Sequence, residues 1–269
     1  MGGAPVRRRL KWKLRMLDFL KRSSAKLSRT VEIGWVINAD KAGFIWDEPK
    51  KLLREPASSL HPKSVRYCPA VLEHEARLFE IVCPVSMSLR VNLGSAKEPP
   101  TLINAAGDKS EIRPKHLGQM VTLVSRKEWR HPERPILQIV TPYLFVADEA
   151  VYMTQLPPIC HYRSPALPGV MIGGRFPIHI WPRALMWAFE WYDPKLDLVL
   201  RRGEPWFYVR FEPQDPSRPV RLVEAEMTPQ LEEFLKGVTS VTNYMNRTFS
   251  LFATARARRP KRLLVHKQR

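Results

Sequence analysis

Three side chains near the middle of the chain have the chemistry to hold a metal ion or move a proton: Cys160, His161 and His179. Imidazole nitrogen suits iron or zinc, and strand-rich folds can present such ligands. The spacing argues against it. Neighbours such as Cys160 and His161 point to opposite faces of an extended segment, and no His-x-Asp pair accompanies them. Glu73-His74-Glu75 sets carboxylates on both sides of an imidazole, an arrangement useful for general acid–base work. On a short polar helix it reads instead as a solvated face. Gly173-Gly174 reads as a turn, with a backbone anion nest as the functional alternative. There is no GxxxxGK[ST] phosphate loop, no GxGxxG opening a helix, no GxSxG elbow and no HExxH. The sequence therefore assigns no catalytic residue, no metal and no cofactor, and it leans away from an enzyme.

The stronger chemical signal is positive charge, and its placement matters more than its total. The chain of 269 residues carries a formal net charge of +18. Residues 1–30 hold ten Lys/Arg against one acid, Asp18, and residues 247–269 hold eight against none. The rest is nearly neutral, with 26 bases (44 − 18) against 25 acids (26 − 1). Two basic ends on a neutral body predict contact with a polyanion through the ends. The bases expected to touch phosphate are Arg7, Arg8, Arg9, Lys11, Lys13 and Arg15, with Arg256, Arg258, Arg259, Lys261 and Arg262 at the other end.

Positioning these groups requires a folded body. Hydrophobic residues make up 44% of the chain, enough for a packed core. Prolines outnumber glycines by 25 to 12 and fall between short apolar runs, the punctuation of a β-rich fold. Strands are predicted at Val31–Ile37, Arg77–Cys83, Met87–Leu93, Gln119–Ser125, Ile136–Thr141, Tyr143–Ala147 and Val151–Leu156. Leu185–Tyr192, Leu196–Arg201, Trp206–Phe211 and Val220–Glu226 continue the series. Arg77–Cys83 and Met87–Leu93 read as a hairpin around Pro84, and 94–118 as an excursion from the sheet. In Trp206–Phe211 the set Phe207, Val209 and Phe211 is the expected core face, opposite Trp206, Tyr208 and Arg210. Strand spacing of roughly 8–12 residues points to an antiparallel β-sandwich or barrel-like domain.

Helices are predicted at three places. Pro69–Glu75 is a short one. Residues 7–27 form an amphipathic basic helix, with Leu10, Leu14, Leu17 and Leu20 on one face. A C-terminal helix starts at Thr228 as N-cap with Pro229 at its first position. The expected organisation is a basic arm (1–30), a β-rich body (31–227), a helix packed on it (228–255) and a basic tail (256–269). The dense aromatic group Trp181, Trp187, Phe189, Trp191, Trp206, Phe207 and Tyr208 is expected to be core rather than a base-stacking surface. Three cysteines, Cys68, Cys83 and Cys160, at no metal spacing fit a reducing compartment.

Several phrases together resemble a known family. Val65-Arg66-Tyr67-Cys68-Pro69-Ala70-Val71 precedes a Phe79–Pro84 strand, and Pro157-Pro158 follows another. Pro168-Gly169 leads to Phe176-Pro177-Ile178-His179-Ile180-Trp181-Pro182-Arg183, and Arg202-Gly203-Glu204-Pro205-Trp206-Phe207-Tyr208-Val209-Arg210-Phe211 closes the set. Over about residues 60–250 the chain resembles a family of conserved proteins of tailed phages, notably cyanophages, and of some bacteria, with no activity known. The resemblance implies a β-rich domain with a helical C-terminus and carries no catalytic residue.

The leading expectation is a non-enzymatic binding or assembly protein whose basic ends contact nucleic acid without sequence specificity. One alternative is peripheral membrane association through 7–27, with Trp12, Phe19 and the leucines in an anionic interface. The other is an enzyme on a β-sandwich, metal-assisted at His161 or His179. No apolar stretch approaches the roughly 20 residues of a membrane span. The resemblance implies a bacterial or phage-infected cytoplasm, or a virion, as the expected place.

Overall fold

The β-branched and aromatic runs form strands, and the prolines sit mostly where strands and helices begin or turn. The computed structural model describes residues 30–38, 43–53, 61, 63–94, 98–241 and 248–268. The helix expected over 7–27, and with it Arg7, Arg8, Arg9, Lys11, Lys13 and Arg15, lies outside the described residues. In chain order the elements are β1 (Val31–Ile37), β2 (Lys50–Lys51), α1 (Pro69–Glu75), β3 (Leu78–Val82), β4 (Met87–Asn92) and β5 (Thr101–Asn104). Then come α2 (Pro114–Met120), β6 (Val121–Leu123), β7 (Ile136–Val146), β8 (Val151–Leu156), β9 (Gly169–Ile172), β10 (Arg175–Pro177) and β11 (Ala184–Trp191). The series ends with β12 (Leu198–Leu200), β13 (Pro205–Pro213), β14 (Val220–Glu224), α3 (Pro229–Val241) and α4 (Thr248–Arg258).

The strands form three sheets. The first runs β14-β1-β7-β11-β9, with β6 also on β7; the second runs β10-β8-β13-β3-β2; the third runs β12-β4-β5. Pairing is antiparallel among these strands except between β1 and β14, which is parallel. The inner faces of the first two sheets meet through aromatic rings. Phe145 on β7 lies 5.3 Å from Phe211 on β13, and Trp187 on β11 lies 5.5 Å from Trp206 on β13, centroid to centroid. The aromatic group is buried, as expected, apart from the partly exposed Trp181; Tyr208 is buried on the opposite face of β13.

A second apolar cluster covers the other face of the first sheet. Leu144 and Val146 of β7 pack there with Leu231, Phe234 and Val238 of α3, Ala255 of α4, and Leu263 and Leu264 beyond it. Strand β7 is thus buried on both faces over its second half, which explains the unbroken apolar run Tyr143-Leu144-Phe145-Val146. Gly34 of β1 lies under this layer, where a Cβ would come within 2.8 Å of Ala225 Cβ and 2.9 Å of Val146 Cγ2. The Thr228 cap is as the sequence predicted: its Oγ1 accepts from Leu231 N–H at 3.2 Å.

Four expectations need correction, and the tail gains a detail. Arg77–Cys83 and Met87–Leu93 are not a hairpin: β3 pairs with β13 and β2, β4 with β5 and β12. Residues 94–118 are not wholly an excursion, because Thr101–Asn104 returns to pair with β4. The two runs across 136–147 are one strand through Pro142. Trp206 does not face away from the core: a register shift between Pro205 and Phe207 turns both Trp206 and Phe207 inward. The basic tail, 256–269, is docked on the body over its described part. Glu226 N–H donates to Val265 O, Lys267 N–H donates to Glu224 O, and Leu263 and Leu264 are buried.

Candidate functional site

The outward-facing side chains of the second sheet build a charged groove. Strand register fixes who stands beside whom: Arg175 opposite Thr154, Thr154 opposite Arg210, and Tyr152 opposite Glu212. Alternation puts Tyr152, Thr154, Arg175, Arg210 and Glu212 on one face. Glu73 and Arg77, at and just beyond the end of α1, form one wall, and His179 and Arg256 form another. The groove has a volume of about 810 Å³. Four arginines (Arg77, Arg175, Arg210, Arg256) face two glutamates (Glu73, Glu212), so the groove carries net positive charge.

Each guanidinium is held differently. Arg77 pairs with Glu73 one helical turn away. Glu212 takes Arg175 Nε at 2.9 Å and also Arg210 Nη2, so one carboxylate fixes two cations side by side. Partial burial pushes the Glu212 carboxyl up, but the hydrogen bonds from Arg210 and Arg175 outweigh it and hold it below the ordinary range. Arg210 Nη1 also lies 3.5 Å from His74 Nδ1. Arg210 Nε, His74 Nε2 and Thr154 Oγ1 are buried with no hydrogen-bond partner among the described residues. A single shared carboxylate therefore leaves Arg210 incompletely compensated. Arg256 is exposed and lines the groove without an ion pair among the described residues.

A stacked tier forms the groove's far end. The Arg175 guanidinium lies 3.8 Å from the Tyr152 ring centroid, and the His179 ring meets Tyr152 edge-on at 5.8 Å. His179 Nδ1 is engaged by the Val151 backbone, 2.9 Å from its carbonyl oxygen. Burial holds the His179 pKa below its ordinary value. The Val151 hydrogen bond opposes this, while Arg259 and Arg256 add to it. The ring lining the groove is thus biased towards neutral imidazole.

The sequence-predicted residues divide accordingly. Arg256 lines the groove. Arg258 lines a different cleft, between α3 and α4, with Glu233 and Leu251. Lys261 and Arg262 are exposed, and Arg262 Nε donates to Leu264 O. The Arg259 guanidinium, expected to touch phosphate, is instead hydrogen-bonded inside the fold. It donates to His179 O, to Ala147 O and Asp148 O, and to Pro260 O and Lys261 O, with its side chain 16% exposed. Asp148 Oδ1 in turn accepts Leu263 N–H at 2.6 Å. This clamp fixes both groove walls at once, since His179 supplies one of the carbonyls and Arg256 lies one helical turn before Arg259.

His161 and His179 are not gathered with other ligands; among the described residues no three His, Cys, Asp or Glu side chains could hold a metal ion. Gly173-Gly174 is a crossover between β9 in the first sheet and β10 in the second. Its glycines permit close approach: Gln155 N–H donates to Gly174 O, and a Cβ on Gly173 would meet Gln155 O at 2.5 Å. Sequence reasoning missed Tyr152, Arg175 and Arg210. Their signal was the alternation of polar residues on the strand faces opposite the core, readable only once pairing is known. No family model matches the chain, and no curated protein matches it.

Glu80 lies further along the same sheet face, register partner of both Tyr208 and Lys50. Burial raises its pKa, with His161 and Lys50 pulling it back in part. A carboxyl raised in the folded state contributes stability that is full below its unfolded value, near 4.5, and is lost as pH rises through the folded value. Glu80→Gln should therefore raise the thermal midpoint at neutral pH. The gain should vanish towards about pH 4, where the wild-type carboxyl is protonated in both states. Melting curves of both proteins across that range check it; a gain that persists in acid would assign the effect to something other than ionisation.

Proposed function

We propose that the protein is a non-enzymatic polyanion-binding or assembly protein that contacts the phosphates of nucleic acid without reading sequence. The observation that carries this reading is the concentration of four arginines in one groove, with Arg210 short of partners and Arg256 unpaired among the described residues. The sequence adds ten further bases in residues 1–30. In this reading the two larger sheets are the layers of a β-sandwich scaffold, and α4 presents Arg256. The family resemblance over about residues 60–250 suggests a role in a phage-infected or bacterial cytoplasm, or in a virion, where nucleic acid is the abundant polyanion. None of the helices among the described residues is long and apolar enough to cross a membrane.

A salt titration of DNA and RNA binding tests this. Removing residues 247–269 would strip Leu251, Ala255, Leu263 and Leu264 from the core, so charge substitutions in the full chain are the sound comparison. Contact with about eight phosphates gives a log–log slope near −7 for duplex DNA. Replacing Arg7, Arg8 and Arg9 together with Gln should flatten the slope by about 3, and Arg256→Gln by about 1. If the full chain binds neither nucleic acid at low salt but floats with anionic liposomes, the membrane reading of 7–27 replaces this one.

A further inference from the structure

We propose that the groove takes a single strand of nucleic acid, seating an unpaired base on Arg175 and the flanking phosphates against Arg77, Arg210 and Arg256. This rests on the polyanion reading and adds to it the form of the nucleic acid and the mode of contact. The Arg175 guanidinium already lies over one aromatic ring, Tyr152, at 3.8 Å, and its side chain is 53% exposed. Its Nε is fixed by Glu212, while its Nη groups have no partner among the described residues. A guanidinium held 3.8 Å over a tyrosine ring and half exposed on its other side can stack an unpaired base, as Arg and aromatic planes do where single strands are bound. The His179 ring also packs on Tyr152, with centroids 5.8 Å apart and planes at 71°.

The groove's other arginines would supply the phosphate contacts. Arg210 stands beside Arg175 on their shared Glu212, and Arg77 and Arg256 occupy the two walls. A groove of about 810 Å³ falls within the range of sites that enclose small ligands, about 300–1,000 Å³. A duplex keeps its base faces stacked internally and could use the arginines but not the Arg175 tier. The chemistry therefore favours unpaired nucleotides.

The test uses fluorescence anisotropy of the full chain with three labelled probes of about 15 nucleotides, within the range one single-strand site covers. They are an oligothymidylate, an abasic strand of equal charge, and a duplex. The oligothymidylate should bind about tenfold more tightly than the abasic strand, the effect of one stacked base. Arg175→Lys keeps the charge, so it should abolish that preference and leave the salt slope unchanged. Arg256→Gln should weaken both single strands equally. Equal binding of base-bearing and abasic strands, a preference that survives Arg175→Lys, or tighter binding of the duplex would each overturn the single-strand inference while leaving the polyanion reading standing. Failure to bind any probe at low salt would overturn both.

Discussion

Trp206→Ala should lower the free energy of unfolding by about 3–5 kcal/mol, the range for deleting a large buried aromatic. The side chain is 1% exposed. Its ring stacks against Trp46 at 6.4 Å, lies 5.5 Å from Trp187 and meets Phe207 edge-on at 5.6 Å, so it joins both large sheets. The loss would open a cavity among rigid rings that cannot collapse to fill it. The position is also a test of the β13 bulge. Regular alternation would put Trp206 on the outer face with Tyr208, where truncation would spare the sheet-to-sheet core. Equilibrium denaturation in urea decides: a change below about 1 kcal/mol would mean that the ring is not part of the core.

Arg259→Ala should cost about 2–4 kcal/mol, because hydrogen bonds to a charged group are each worth more than neutral ones and their acceptors lose a common donor. The carbonyls of Ala147 and Asp148 belong to the turn between β7 and β8 and that of His179 to the connection after β10, and one planar guanidinium reaches all three. Lysine cannot replace that fork, so Arg259→Lys should recover little. The coupling partner is Asp148, which binds both Arg259 and the Leu263 amide. Denaturation of the two single variants and the double variant should show losses that do not add. Limited proteolysis should cut the Arg259→Ala chain after residue 258 first. Full additivity and unchanged protease resistance would show that the segment is held by Leu263 and Leu264 alone.

Much of the strand content was legible because local chemistry and final environment agree. Val31–Ile37, Pro69–Glu75 and Val151–Leu156 have the predicted bounds, since period-two patterning or a proline at a helix start marks them without help from partners. What failed was pairing. Nothing in Met87–Leu93 distinguishes a hairpin partner for β3 from a partner for Thr101–Asn104, because register depends on distant strands. The groove was illegible for the same reason. Tyr152, Arg175 and Arg210 lie on three strands that meet only through sheet order, so no spacing in the chain announces them. Arg259 shows the converse failure. In a run of bases it resembled its neighbours, and only the carbonyls facing it reveal that its charge is used internally.

Strand β1 has a further consequence, for the order of events in synthesis. Its neighbours are β7 on one side and the parallel β14 on the other, and Glu32 is bonded to both Arg221 and His266. These last contacts span 189 and 234 residues of sequence. A ribosome releases residues 31–37 long before either partner exists. Val31 and Ile33, fully buried in the finished fold, must then wait on the nascent chain with one strand edge open. Closing such distant contacts is slow, because the entropy of the intervening loop is lost before the pairing repays it. During that interval the open edge of β1 is exposed to mispairing with another copy.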